Sequence, residues 1–211
     1  MARQGRDIRR RKSPRTERTR GLVVTEGERT EPQYVDGVKQ LFRGSQVEVK
    51  THGVGRDPAS VLAKAQTLQR QAKSAGEPYD WCCVVVDVDD HTTLDRCLRD
   101  ARKAGIHVVV SNPCFEIWLL WHYADHRAHT DRRALREAVR RFGITDKTLP
   151  PGFQFVAYPD ATARARQADP DTATGRTGPN PSSAMPVLID LMSAKSSEAH
   201  PSARAHSSGP T

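Results

Sequence analysis

Two acidic motifs, each closing an apolar run, carry the chemistry available to this sequence. Leu22-Val23-Val24-Thr25 leads into Glu26-Gly27-Glu28, and Trp81-Cys82-Cys83-Val84-Val85-Val86 leads into Asp87-Val88-Asp89-Asp90-His91. Carboxylates are hard oxygen donors, and a set of them suits Mg²⁺ or Mn²⁺. Phosphodiester chemistry with such ions needs several carboxylates close together, holding cations that clamp the attacking and leaving oxygens. Asp87 and Asp89 share one face if the strand continues, so both reach the same ion, while Asp90 points elsewhere. Gly27 lets the backbone turn sharply and approach a phosphate. The plainer alternative is that an Asp-rich strand end only caps the helix that follows.

The elements that position these residues alternate. Apolar runs without polar alternation suit strands buried on both faces, here 22–25 and 81–88. Between them lie a helix from Glu31 to Arg43 capped by Thr30, a strand through Val47, Val49 and Thr51, and a helix from Asp57-Pro58 to Ala75. A helix from Thr92 to Ala104 and a strand from Ile106 to Val110 come next. The apolar run Phe115–Trp121 fits a strand or a helix; helix is favoured, because Phe115, Leu119 and Leu120 stack and Asn112 can cap it. Further helices are expected over Arg132–Phe142, over Tyr158–Gln167 and from Asn180-Pro181 through Met192. This rhythm implies right-handed βαβ units, hence an α/β fold with an open, mostly parallel four-stranded sheet and extra C-terminal helices. Carboxylates at the carboxyl edge of such a sheet lie where its ligand crevice forms, so Glu26, Asp87 and Asp89 converge if their strands are neighbours.

The chain of 211 residues fits one domain with tails. Residues 1–20 hold nine Arg or Lys against Asp7 and Glu17, nearly all of the formal net charge of +8. This segment reads as a basic disordered arm, in which Arg9, Arg10, Arg11 and Lys12 are candidates for nucleic-acid contact through counterion release. Residues 21–192 form the expected domain, and the Ser-, Ala-, His- and Pro-rich stretch 193–211 is an expected disordered tail. Cys82, Cys83, Cys97 and Cys114 include no Cys-x-x-Cys pair and read as reduced packing residues. No apolar stretch reaches transmembrane length and no secretory leader is visible, so the cytoplasm is expected.

Other chemistries fit less well. Phosphatases of the haloacid-dehalogenase type use Asp-x-Asp on the first strand, whereas here the motif ends the third. Glycosyl or nucleotidyl transfer with Mn²⁺ leaves Glu26-Gly27 unexplained. Neither a P-loop nor a dinucleotide-binding glycine motif is present. His122, His126 and His129 have a spacing that can bind Zn²⁺, without the Glu of a metallopeptidase motif. Trp118 and Trp121 read as core. Arg132, Arg133, Arg136, Arg140 and Arg141 read as a solvated helix face able to track a phosphate backbone.

The strings Val24-Thr25-Glu26-Gly27-Glu28-Arg29-Thr30-Glu31-Pro32-Gln33-Tyr34, Asp87-Val88-Asp89-Asp90-His91 and Ser111-Asn112-Pro113-Cys114-Phe115-Glu116-Ile117-Trp118, with Asn180-Pro181-Ser182-Ser183, together resemble the RloB family over residues 20–192. The resemblance implies a role in phage defence, of the AbiL abortive-infection kind, beside an AAA or ABC-type ATPase partner. The Glu-Gly and Asp-x-Asp pair is also similar to the Toprim signature of topoisomerases, primases and overcoming-lysogenization-defect nucleases. That similarity implies a Toprim-like domain in which Glu26 is the general acid or base and Asp87 and Asp89 hold Mg²⁺. Asp90 is a further candidate ligand, Glu116 is either another ligand or an anchor for the segment after the fourth strand, and Arg29, where relatives are expected to carry Lys, would touch phosphate. The implied function is a metal-dependent nuclease acting on DNA or RNA. A non-catalytic binding or sensor subunit is the alternative.

Overall fold

The unbroken apolar runs become the inner strands of a sheet covered on both faces. A computed structural model describes residues 18–43, 45, 47–55, 57–88, 93–145 and 148–193. In chain order the elements are β1 (Thr19–Thr25), α1 (Thr30–Leu41), β2 (Val47–Gly53), α2 (Pro58–Ser74), β3 (Trp81–Asp87), α3 (Leu94–Lys103) and β4 (His107–Asn112). They continue with α4 (Glu116–Trp121), α5 (Arg132–Arg140), α6 (Tyr158–Ala168), β5 (Ser182–Ser183) and α7 (Met185–Ser193). The sheet order is β2-β1-β3-β4-β5. The first four strands are parallel, as the alternation predicts, and β5 pairs antiparallel with the end of β4. The sheet therefore has five strands where four are expected. A two-residue Ser-Ser strand has no periodicity to read; it pairs Ser183 with Ser111 and Ser182 with Asn112, and the Ser111 and Ser183 hydroxyls meet at 2.9 Å.

Period-2 geometry sorts the buried side chains into two layers. Val23, Cys83, Val85 and Val109 join the core beneath α1, α4 and α7. Leu22, Val24, Cys82, Val84, Val86, Val108 and Val110 join the core beneath α2 and α3. All four cysteines are free and buried, matching the packing role. Among the described residues no helix is long and apolar enough to cross a membrane.

Local corrections follow from side-chain geometry. Asp57 caps α2 as expected, accepting from the Ala59 and Ser60 amides at 3.0 and 3.3 Å. Thr30 is the first helical residue of α1 and Arg29 takes the cap position, without a capping side-chain bond. Asn112 does not cap α4, because its amide donates to the Gly178 carbonyl at 2.9 Å. α4 ends at Trp121, so His122 and His126 do not share a helical face. His122 is instead a core residue, 4 % exposed, with Nε2 3.1 Å from the Tyr34 hydroxyl and its ring against Trp118 and Phe153.

Burial, with a smaller contribution from Arg164, pushes the His122 pKa down to about 3. The folded protein keeps this ring neutral, whereas the unfolded chain takes up a proton below about pH 6.5. This stabilisation is complete above the unfolded value and drains away as pH falls toward the folded one. At pH 5 the loss is about 2 kcal/mol. Melting temperature followed from pH 7 to pH 5 should therefore fall more steeply for the wild type than for His122→Phe. Parallel curves would contradict it.

Candidate functional site

Chain connections diverge at β1: β2 lies on one side of it and β3 on the other. In open α/β sheets this divergence leaves a crevice beyond the carboxyl ends of the two central strands. Glu26 follows β1 and Asp87 ends β3, so both stand at this crevice. The backbone of Glu26 is fixed from both sides. Its N–H donates to the Val85 carbonyl at 2.9 Å, and its carbonyl accepts from the Gly55 N–H at 2.7 Å. The Thr25 hydroxyl donates to the Gly27 carbonyl at 2.7 Å and closes the turn. Glu26 Oε2 then accepts the Asp87 N–H at 3.3 Å, which ties the two motifs together.

Two further carboxylates gather here. Glu31 lies in the first turn of α1, and its Oε2 is 1.9 Å from the point where a Cβ on Gly27 would be. The glycine is required for this approach. Burial pushes the Glu31 carboxyl above its ordinary range, and the charges of Glu116 and Glu26 add to the shift. Asp87 is 8 % exposed. Burial pushes its carboxyl well above the ordinary range, and Glu31, Glu116 and Glu26 raise it further. Arg132 opposes that shift, with Nη2 3.2 Å from Asp87 Oδ2. Glu116 begins α4 and lies 3.7 Å from Arg136 Nε.

Helix α5 carries both arginines, and other parts of the chain hold its start. Asp131 caps it by accepting the Ala134 amide at 2.8 Å. Asn180 grips the preceding residue twice: its Oδ1 accepts the Thr130 N–H at 3.1 Å and its amide donates to the Thr130 carbonyl at 2.8 Å. The Asn-Pro-Ser segment thus positions the arginine that reaches Asp87.

The structure joins Glu26 to Asp87, sets Glu116 near enough for its charge to act on Asp87, and leaves Arg29 exposed. Asp89, Asp90 and His91 lie outside the described residues, as do Arg9, Arg10, Arg11, Lys12 and the tail from residue 194. Sequence reasoning missed Glu31 as a member of the site. The signal available was a Glu in the first helical turn directly after the Glu-Gly turn. It also read Arg132 and Arg136 as a solvated face. The donor chemistry is that of a hard divalent cation, all oxygen. Among the described residues, no three of these side chains are gathered closely enough to hold one ion.

Searches of curated proteins and of solved structures give no match for this chain. The model of the family described as "RloB-like protein" matches residues 21–192, most of the chain, and the protein belongs to that family.

Proposed function

We propose that this chain is a Toprim-like, metal-dependent nuclease that hydrolyses DNA or RNA in abortive-infection defence against phage, together with an ATPase of the AAA or ABC type. The observation that carries this reading is the contact of Glu26 with Asp87 at the crevice of the sheet, with Glu31 and Glu116 adding charge to it. Glu26, Asp87, Glu31 and Glu116 would hold Mg²⁺ or Mn²⁺, joined by Asp89 and Asp90 from the segment after β3. When bound, such an ion supplies Lewis acidity at the phosphoryl oxygen and a more acidic water. Glu26, fixed through its backbone, serves as ligand or as acceptor of the proton of the attacking water. Arg29, exposed beside the turn, steadies a non-bridging phosphate oxygen. Arg132 compensates Asp87 when no cation does so.

The direct test incubates the purified chain, alone and with its partner ATPase, with labelled single- and double-stranded DNA and RNA plus Mg²⁺ or Mn²⁺. Cleavage that chelation stops supports the reading; a chain that cuts none of them under any of these conditions overturns it. Gly27→Ala gives a second test, because the added methyl displaces the Glu31 carboxylate. We expect about tenfold weaker Mn²⁺ binding. Unchanged affinity would reduce Glu31 to a helix-turn acid.

One observation favours a second reading, a binding or sensor subunit without catalysis. Arg132 pairs with Asp87 and Arg136 with Glu116, so the protein partly neutralises its own carboxylates. Under that reading, phage protection survives replacement of the aspartate.

A further inference from the structure

A cavity of about 430 Å³ adjoins the acidic cluster, with Glu116 as a shared wall. Arg136 and Arg140, one helical turn apart on α5, supply its positive charge, and Thr30 and Thr145 supply hydroxyls. Val139 and Ile144, 2 % and 5 % exposed, make an apolar floor. We propose that this cavity holds one unpaired nucleotide of a single-stranded DNA or RNA, next to the phosphate that the carboxylate centre would act on. The inference rests on the nuclease reading for which bond is attacked, but the binding itself does not.

Three features select this ligand. The volume lies toward the small end of the range for ligand pockets, about 300–1,000 Å³, which suits a single nucleotide. Among the described residues, Arg140 pairs with Glu137 at 2.9 Å in an exposed ion pair, and Arg136 pairs with the half-buried Glu116 at a loose 3.7 Å. Such pairs are worth little and give way to a phosphate, which offers stronger charge-assisted bonds. The apolar floor gives a base or ribose a surface that a phosphate alone would not need. A duplex could fill this cavity only by flipping a base out, at a cost of a few kcal/mol. Single strands are therefore preferred.

The test is fluorescence anisotropy of the full-length chain with labelled oligonucleotides of about ten residues, single-stranded and duplex DNA and RNA, in chelator so that nothing is cut. The expected result is tighter single-strand binding, with the DNA and RNA arms showing which sugar is preferred. Arg136→Ala/Arg140→Ala should weaken binding at least about tenfold and lower the salt slope by about 1.4. Thr145→Trp, at an exposed position, fills the cavity without removing charge and should weaken single-strand binding by a similar factor. Melting temperatures of both variants report whether the fold is intact. Equal affinity for duplex, or wild-type binding by both folded variants, overturns the proposal. Binding through this cavity by a chain that never cuts would defeat the nuclease reading alone; cutting untouched by either variant would defeat the cavity alone.

Discussion

Asp87→Asn should abolish metal-dependent cleavage, by at least about 10³-fold or about 4 kcal/mol of transition-state stabilisation, while making the protein more stable. Both halves come from one cause. Asp87 is buried among Glu31, Glu116 and Glu26, and its carboxyl is pushed well above the ordinary range. Its ionised form therefore opposes folding at neutral pH, and a neutral amide of the same shape relieves that opposition. The gain should be about 1 kcal/mol, the scale on which active sites trade stability for activity, if this is one. Cleavage kinetics and thermal melts on the same preparation check the pair of effects. Phage protection and assembly with the ATPase, measured beside them, separate enzyme from binding module. Lost protection with intact assembly supports the enzyme, and retained protection supports the module.

Tyr34→Ala should have the largest effect on stability. Tyr34 is fully buried on α1, and its ring meets Phe115, Trp118, His122, Phe153 and Phe155 at centroid distances of 5.4–6.0 Å. Removing a ring from such a cluster costs about 4 kcal/mol, a fall in melting temperature of about 12 °C in a chain of this size. Tyr34→Phe keeps the ring and loses the hydroxyl's bond to His122, about 1 kcal/mol. The aromatic cluster also fixes α1, three residues after Glu31, so Tyr34→Ala should lower activity in the fraction that remains folded. Equal melting temperatures for the two variants would show that the ring is not what anchors α1.

The central strands were readable because burial on both faces leaves an uninterrupted apolar run, and because strand-helix alternation leaves few topologies. Glu26 and Asp87 were readable for the same reason: each closes a run. The segment after β4 was legible only in part. Glu116 to Trp121 packs as a helix, yet Asn112 turns to Gly178, a contact 66 residues away that no local rule reveals. Glu31 looked like an ordinary first-turn acid, since nothing local says that it folds back over Gly27. Arg132 and Arg136 looked solvated because helical periodicity gives their face but not what docks against it. The histidines at 122 and 126 kept helical spacing in sequence, but the helix stops at Trp121.

Mn²⁺ titration followed by the electron paramagnetic resonance of the free ion tests the carboxylate centre most directly. The wild-type chain should take up the ion and release it to competing Mg²⁺, while the double variant Glu26→Gln/Asp87→Asn, still folded by its melt, should leave the signal of free Mn²⁺ undiminished. Equal uptake by both proteins, or none by the wild type at millimolar Mn²⁺, would contradict the account.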